Sequence, residues 1–215
     1  MFTGIVEEKG TLKQVKQQGK SLVLSVNAST VLSDVSIGDS ISVNGVCLTV
    51  TAFDTQSFSV DVMPETFKGT NLKDLSTQAE VNLERAMSAM GRFGGHFVSG
   101  HVDAVATIAQ TWKDDNAKYI RIKTTPADAK YLVEKGSVTV DGTSLTIFEV
   151  FDDGFVISLI PETQARTVLG PKVAGDTVNL EFDVLMKYME RLLTTKAIPE
   201  HPNTLTKEKL AEFGF

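Results

Sequence analysis

The chain has 215 residues, 42% of them hydrophobic and 22% charged, with a net charge of −6; this is typical of a soluble globular protein of about two domains. The acidic balance without a basic run argues against nucleic acid as a partner, and no stretch reaches the ~20 apolar residues of a membrane span. A single cysteine excludes an internal disulfide and the first ten residues do not form a signal peptide, so we expect a cytoplasmic protein with no membrane partner.

The first half of the chain is predicted to form a series of short strands. Runs rich in Val, Leu, Ile and Thr are separated by Gly, Asn and Asp, a pattern typical of antiparallel strands joined by tight turns. The dipeptide Asn44-Gly45 favours a hairpin turn with positive φ. The predicted strands are 21–26, 40–44, 47–53, 57–62 and 79–83, and a helical turn is predicted at 28–32.

The second half shows the same pattern, with Asp141-Gly142 as the matching hairpin turn. Its predicted strands are 119–123, 137–140, 144–150, 155–160 and 177–182, and a helical turn is predicted at 126–133. About six strands in each half, with little helix between them, predict an all-β protein. We expect two homologous six-stranded antiparallel barrels, Greek-key-like in topology, followed by a C-terminal α-helix.

An internal repeat supports two copies of one fold. Residues 43–84 and 140–181 align without a gap at an offset of 97, and 14 of the 42 positions are identical; chance would give roughly one identity in fifteen. The period exceeds the ~20–50 residues of a solenoid unit. Residues 2–7 also match 98–103, so the boundary is predicted near Gly94-Gly95, a flexible pair. The predicted domains are 1–95, 96–184 and 185–215.

The segment after the second repeat is predicted to be helical. Its apolar residues recur at helical spacing on one face: Leu185, Tyr188, Met189 and Leu192. Pro199 and Pro202 are expected to end this helix. It either covers the bottom of a barrel or forms an oligomerisation surface. Residues 203–215 are predicted to form one further short helix, with Thr206 as a candidate N-cap.

Two of the three histidines, His96 and His101, lie close together at the start of the second repeat, and the first repeat has no histidine there. Imidazole titrates near neutral pH, so proton transfer is one interpretation. Two hydrogen-bonded structural histidines are the alternative. A metal site is disfavoured, because no Cys or carboxylate cluster supplies a third ligand at a suitable spacing.

Cys47 and Ser144 occupy equivalent positions, each two residues after a turn glycine. A lone cysteine is usually a small buried filler, but serine at the matching position shares hydrogen bonding rather than apolarity. We therefore interpret both residues as polar ligand contacts. A Ser/His/Asp triad does not follow, because nothing in the sequence places a base within reach.

The tripeptide Pro-Glu-Thr also recurs, at 64–66 and 161–163, after a predicted strand in each half. Threonine hydroxyls and free backbone groups at a strand end can bind the polar edge of a heterocycle. A turn copied by duplication is the alternative. Lys135, whose counterpart is Gly38, is either a further polar contact or a solvated surface lysine.

Taken together, these motifs resemble riboflavin synthase (alpha chain), a family of lumazine-binding double barrels. The resemblance spans about residues 1–190 and rests on residues 1–6 (MFTGIV), 44–50 (NGVCLTV), 94–103 (GGHFVSGHVD), 141–146 (DGTSLT) and 160–163 (IPET). It implies a transferase that dismutates two molecules of 6,7-dimethyl-8-ribityllumazine. A four-carbon unit passes from one molecule to the other, giving riboflavin and 5-amino-6-(ribitylamino)uracil.

The resemblance further implies no cofactor and no metal. It implies a homotrimer assembled through the C-terminal helix, in which each active site forms between the first barrel of one subunit and the second barrel of a neighbour. An association with lumazine synthase is a further partner that it suggests.

The resemblance also predicts the site residues. The predicted catalytic residues are Cys47, His96, His101, Lys135 and Ser144, with a histidine transferring protons and Ser144 or Cys47 positioning or supplying the nucleophile. The predicted substrate-binding residues near the first repeat are Gly4, Ile5, Val6, Cys47, Leu48, Thr49, Asp61, Val62, Met63, Pro64, Glu65 and Thr66. Those near the second are Gly100, His101, Val102, Lys135, Ser144, Leu145, Thr146, Ser158, Leu159, Ile160, Pro161, Glu162 and Thr163. Asp183 matches a further polar position near the site.

Two other functions stay open at this stage. Lumazine proteins of luminous bacteria resemble the same double barrel, yet they bind a chromophore without turnover. They tend to lose the polar set of the second pocket, whereas Ser144, Thr146, His101 and Lys135 are all present here. An oligonucleotide- or sugar-binding barrel is disfavoured by the acidic charge and the lack of a basic, aromatic-lined face.

Overall fold

A computed structural model describes residues 1–18, 21–195 and 207–214. It contains two closed six-stranded antiparallel barrels, which confirms the predicted fold class. The first barrel comprises β1 (Glu8–Gln18), β2 (Ser21–Asn27), β3 (Ser40–Val43), β4 (Val46–Phe53), β5 (Ser57–Val62) and β6 (Glu80–Arg85). The second comprises β7 (Ala104–Asp114), β8 (Ala117–Lys123), β9 (Ser137–Val140), β10 (Thr143–Phe151), β11 (Gly154–Leu159) and β12 (Thr177–Phe182).

The two barrels share one Greek-key topology. Around the first barrel the strands follow the order β1-β2-β5-β4-β3-β6, and the second repeats this with β7-β8-β11-β10-β9-β12. In each, the third to fifth strands form consecutive hairpins and the fifth pairs with the second. Closure leaves no unpaired sheet edge.

Each barrel encloses its own apolar core. Along the strands, alternate side chains point inward, as the two-residue period of a strand requires. In β4, Val46, Leu48 and Val50 are buried, while Thr49 between them is exposed. The same alternation in β10 buries Ile147 and exposes Thr146. Polar groups that could contact a ligand therefore lie on the outer faces of these strands.

The sequence located ten strands to within two residues at their ends, but it missed β1 and β7. The Pro-Glu-Thr motifs follow β5 and β11, as predicted, but they are not part of the strand ends. They open two short helices, α1 (Pro64–Gly69) and α3 (Pro161–Arg166), with proline at the first helical position. Proline is favoured there because its missing N–H would have no helical partner. The predicted helical turns are a 3₁₀ turn at Thr30–Leu32 and the short helix α2 (Pro126–Ala129).

The two barrels form one compact unit, Met1–Val184, and their equivalent hairpin turns meet back to back. Asn44-Gly45 and Asp141-Gly142 have positive φ throughout, which confirms the predicted turns. A Cβ atom added to Gly45 would lie 2.8 Å from Gly142 N, and one added to Gly142 would lie 2.7 Å from Gly45 N. The turns are thus in backbone contact across an approximate twofold axis.

Buried amides extend this symmetric contact. Asn82 on β6 donates Nδ2 to the Asp141 carbonyl, and its equivalent Asn179 on β12 donates Nδ2 to the Asn44 carbonyl, each at 2.8 Å. Asp141 is the departure from symmetry, because it is a carboxylate where the first barrel has Asn44. Burial raises the pKa of Asp141, and the Lys172 ammonium, 3.4 Å from Asp141 Oδ2, opposes that shift.

Leu185–Phe215 forms the second unit. The predicted helix is present as α4 (Val184–Thr194), and α5 (Lys207–Glu212) follows. Thr206, Pro199 and Pro202, to which the sequence assigned the cap and the helix stops, lie outside the described residues. None of the helices in the described ranges is long and apolar enough to span a membrane.

Candidate active site

Two short segments cross from one barrel to the other. We name residues 2–6 the first crossing segment and residues 98–102 the second crossing segment. They pair with each other through an isolated antiparallel bridge between Phe2 and Val98. Beyond this bridge they diverge, since Ser144 N donates to the Gly4 carbonyl (2.7 Å) and Cys47 N donates to the Gly100 carbonyl (2.8 Å). Each segment thus contacts the candidate site strand of the opposite barrel.

Glycine is required at both contacts. Gly4 and Gly100 have φ values of 77° and 81°, in the left-handed region. A Cβ atom on Gly4 would lie 2.6 Å from Ser144 Cβ, and one on Gly100 would lie 2.5 Å from Cys47 Cβ. Both backbone strain and lack of space therefore exclude a side chain, and the equivalent residues Ser144 and Cys47 are covered in the same way.

The second-barrel site is an open cavity of about 370 Å³. It brings together Gly4, Ile5 and Val6 of the first crossing segment, Ser144 on β10, and Glu162 and Thr163 at the start of α3. Sequence reasoning did not single out four other lining residues: Glu7, Thr143, Arg166 and Thr167. The cavity thus combines predicted residues from the start of the first repeat with predicted residues of the second repeat.

A hydrogen-bonded chain lies next to this cavity. His96 Nδ1 is 2.6 Å from Ser144 Oγ, and His96 Nε2 is 3.1 Å from Thr139 Oγ1 on β9. Burial lowers the pKa of His96, and the negative charge of Asp183 opposes this shift. Burial therefore favours the neutral form of the imidazole. In the tautomer with the proton on Nε2, Nε2–H donates a hydrogen bond to Thr139 Oγ1, and Nδ1 accepts a hydrogen bond from the Ser144 hydroxyl.

The glycine pair before His96 is packed rather than a free linker. His96 N donates to the Thr3 carbonyl at 3.1 Å, and a Cβ atom on Gly95 would lie 1.9 Å from that carbonyl oxygen. The first crossing segment therefore fixes the backbone of His96 as well as that of Ser144.

The two predicted histidines lie in different surroundings. His101 is exposed and lies on the second crossing segment, next to Gly100, whose carbonyl accepts from Cys47 N. His96 contacts Ser144 in the second barrel. Cys47 is half-buried and Thr49 exposed on the outer face of β4. The first barrel thus carries a half-buried thiol beside the crossing segment with the exposed His101, whereas the second barrel carries a hydroxyl in contact with a buried imidazole.

Lys135 has a left-handed backbone, with φ of 65°, as has its counterpart Gly38, with φ of 95°. Its ammonium lies 4.8 Å from the centre of the Phe148 ring. Thr146 and Phe148 are exposed on the same strand, β10. Lys135 is therefore held beside the outer face of the strand that carries Ser144.

The other predicted binding residues differ in what they can present to a ligand. The side chains of Leu48, Val62 and Leu159 lie in the barrel cores and Leu145 packs against one, so only their backbone atoms can face outward. The exposed or half-buried positions are Asp61, Met63, Pro64, Glu65, Thr66, Val102, Ser158, Ile160, Pro161 and Glu162.

A further cavity of about 370 Å³ borders the first barrel, and Ile5 is the one predicted site residue in its wall. Arg85 there is paired with Glu7 and Asp34. Within the described ranges, no three His, Cys, Asp or Glu side chains form a metal-binding group.

The family model of the lumazine binding domain matches this chain twice, at residues 3–86 and at residues 99–183. Over all 215 residues the chain is 52% identical to the riboflavin synthase of Bacillus subtilis (strain 168) and 49% identical to that of Actinobacillus pleuropneumoniae, covering each relative completely. It is 44% identical to the riboflavin synthase of Schizosaccharomyces pombe, over 90% of this chain and 94% of that one.

Solved structures share the double-barrel fold. LumP complexed with riboflavin matches with a TM-score of 0.78, and LumP complexed with 6,7-dimethyl-8-(1'-D-ribityl) lumazine with 0.76. Each match has 24% sequence identity and covers 85% of this chain and 99% of LumP.

Proposed function

The chain belongs to the riboflavin synthase family, and from that premise we propose that it dismutates two molecules of 6,7-dimethyl-8-ribityllumazine to riboflavin and 5-amino-6-(ribitylamino)uracil. A four-carbon unit leaves one lumazine and joins the other, so the reaction needs two copies of one substrate. No other reactant is required.

The observation that carries this proposal is the reciprocal pair of sites. Cys47 and Ser144 lie at equivalent positions on the outer faces of β4 and β10, and each is covered by the crossing segment of the opposite barrel. Two equivalent sites suit two identical substrates. Orienting two bound reactants can contribute about 7–11 kcal/mol relative to a dilute encounter, so most of the catalysis is positional.

The Ser144–His96 pair supplies the proton transfer that the reaction needs. The C7 methyl group of one lumazine must lose a proton before it can form a carbon–carbon bond. Ser144 Oγ accepts this proton while giving its own to His96 Nδ1, 2.6 Å away. Thr139 holds the tautomer from the other side of the ring. The pair is a proton acceptor rather than part of a triad.

The remaining predicted residues are assigned by barrel. Cys47 and His101 act at the first site, where the thiol positions or supplies the nucleophile, and Lys135 and Thr146 line the second. The Pro-Glu-Thr helices α1 and α3 and the strand ends before them hold the ring edges and ribityl chains. We place the functional units at 1–95, 96–184 and 185–215.

We further propose a homotrimer that assembles through α4, with each active site formed by barrels of two subunits. Leu185, Tyr188, Met189 and Leu192 form an exposed apolar stripe on this helix, which supports an interface role. A cytoplasmic location is supported by the single cysteine. The association with lumazine synthase stays a prediction from the family.

The deciding experiment is a turnover assay with purified full-length protein and 6,7-dimethyl-8-ribityllumazine, following riboflavin by absorbance. We expect riboflavin to form at half the molar amount of lumazine consumed. Ser144→Ala should lower kcat by about 100-fold or more, because a positioned proton acceptor typically contributes 10²–10⁴-fold. Ser76→Ala, on an exposed loop, is the matched control. Stable lumazine fluorescence without riboflavin would identify an antenna protein instead.

A further inference from the structure

Two buried glutamates hold the crossing segments in place. Glu84, near the end of β6, and Glu181, near the end of β12, are equivalent residues of the two repeats and are 5% and 2% exposed. They are the last residues of the aligned ranges 43–84 and 140–181, and the sequence alone assigned them no role. Burying a carboxylate is costly unless hydrogen bonds satisfy it, so the partners of these two residues indicate what they do.

Both glutamates accept hydrogen bonds from a crossing segment. Glu84 Oε1 accepts from Thr3 N (2.7 Å) and Thr3 Oγ1 (2.9 Å), and its Oε2 accepts from Gly4 N (3.0 Å). Glu181 Oε1 accepts from Ser99 N and Ser99 Oγ (both 2.6 Å), and its Oε2 accepts from Gly100 N (2.9 Å). The two arrangements match atom for atom.

The carbonyl groups of the held residues contact the opposite barrel's site. Gly4, held by Glu84 of the first barrel, accepts through its carbonyl from Ser144 N of the second. Thr3, held by the same carboxylate, accepts from His96 N. A single first-barrel glutamate therefore fixes the backbone of both members of the proton-transfer pair.

The second glutamate acts in the reverse direction. Gly100, held by Glu181 of the second barrel, accepts through its carbonyl from Cys47 N of the first. The residue after Gly100 is His101. The same carboxylate therefore also fixes the backbone next to the imidazole that is predicted for the first site.

We propose that Glu84 and Glu181 are positioning residues that act crosswise: each aligns the catalytic groups of the barrel to which it does not belong. This inference rests on the proposed function and adds to it, because it makes each site depend on a residue of the other barrel. In this proposal both glutamates act through the backbone that they hold and not through the substrate. The effect of Glu84 passes through Thr3 to His96 and through Gly4 to Ser144, and the effect of Glu181 passes through Gly100 to Cys47.

Isosteric variants test this, because glutamine keeps the side-chain volume but places an NH₂ group against a backbone N–H donor. Glu84→Gln should lower kcat about tenfold or more, since small misplacements of reacting groups cost up to about 100-fold. It should also move the titration of His96, followed by NMR, upward, because a loosened first crossing segment admits water to the ring. The alkylation rate of Cys47, the single cysteine, should not change.

Glu181→Gln should give the opposite pattern. Alkylation of Cys47 by iodoacetamide should become severalfold faster, because Gly100 no longer covers the Cβ atom of Cys47 closely, while the titration of His96 stays as in the wild type. Glu149→Gln, an exposed glutamate on β10, is the matched control for both readouts. If a glutamine variant does not fold, Thr3→Val and Ser99→Ala remove only the hydroxyl donors and should give the same pattern at smaller amplitude.

Equal changes of both readouts in both variants would overturn the inference, because they would indicate general loosening. Folded variants that leave both readouts and kcat unchanged would overturn it too. Both readouts are independent of turnover, so a wild-type protein that makes no riboflavin would contradict the proposed function while still allowing the crosswise positioning to be measured.

Discussion

At the scale of residues, duplication placed like groups at the two sites and left them chemically different. Ser144 has a buried imidazole at 2.6 Å, whereas its equivalent in the first repeat is the half-buried thiol of Cys47. The proton transfer that we propose for a hydroxyl–imidazole pair therefore belongs to the second barrel.

The lowered pKa of His96 can be tested through the pH dependence of the reaction rate. Burial lowers this pKa below its ordinary value of 6.5, so the imidazole stays neutral, and able to accept a proton, as the pH falls through 6.5. The acid limb of kcat/KM, which reports the free enzyme, should therefore lie below 6.5. His96→Gln should abolish this limb and lower kcat/KM about 100-fold or more. The measurement is a pH–rate profile of both proteins.

His101→Gln is the comparison for that profile. Its imidazole is exposed and on the other crossing segment, so this variant should keep the acid limb whatever its rate. An unchanged limb in His96→Gln would remove the Ser144–His96 pair from the mechanism.

The sequence could identify His96 as a histidine that the first repeat lacks and Ser144 as the polar equivalent of Cys47, but it could not pair them. The two residues lie 48 positions apart in the chain. Their side chains meet because the first crossing segment fixes both backbones. Thr139, the third member of the chain, carries no signal in sequence because its role depends on the register between β9 and β10. Glu84 and Glu181 are identical between the repeats, and the sequence shows this. Their role became apparent only from their hydrogen bonds with the crossing segments.

At the scale of elements, the missed strands β1 and β7 show what limits pattern reading. Each has 11 residues, yet only Gly10 and Leu12 in β1, and Ala106 and Ile108 in β7, are buried among the residues whose exposure is described. Two inward residues give too short an alternation to predict a strand. The helices α1 and α3 were missed for a similar reason, because six residues are under two turns and show no helical period.

The apolar stripe of α4 leads to a prediction about assembly. Met189 and Leu192 are 55% and 77% exposed, and exposed apolar surface of this kind is typical of an interface. Met189→Glu combined with Leu192→Glu should convert a trimer, three times the 23.3 kDa chain, to monomers, because the charges cannot be buried between subunits. Sedimentation equilibrium measures the mass.

The conservative variant Leu192→Met keeps the apolar surface and should remain a trimer. A wild-type protein that sediments as a monomer would contradict the proposed assembly. Since each active site is proposed to need two subunits, the monomeric variant should also lose turnover while its circular dichroism stays that of two barrels.

At the scale of the whole molecule, the two barrels behave as one unit because symmetric polar contacts join them. Asn82 and Asn179 each donate to the turn of the opposite barrel, and buried polar groups satisfied in this way specify one relative orientation. The crossing segments add the pairing of Phe2 with Val98. The sequence predicted the duplication correctly, but an amide within a repeated motif does not reveal that its partner lies in the other copy.

The contact of the hairpin turns allows the cost of close approach to be separated from that of backbone strain. Gly142 has φ of 78° and lies against Gly45, whereas Gly38 has φ of 95° and open space around the position of a Cβ atom. Gly38→Ala should lower the free energy of unfolding by about 1–2 kcal/mol, the cost of a left-handed residue. Gly142→Ala should lower it by a further ~1–3 kcal/mol, as overpacking does, because the methyl group forces the two turns apart. Urea denaturation of both variants measures the difference; equal losses would mean that the turns move apart freely and that the barrels are not held together at their symmetry axis.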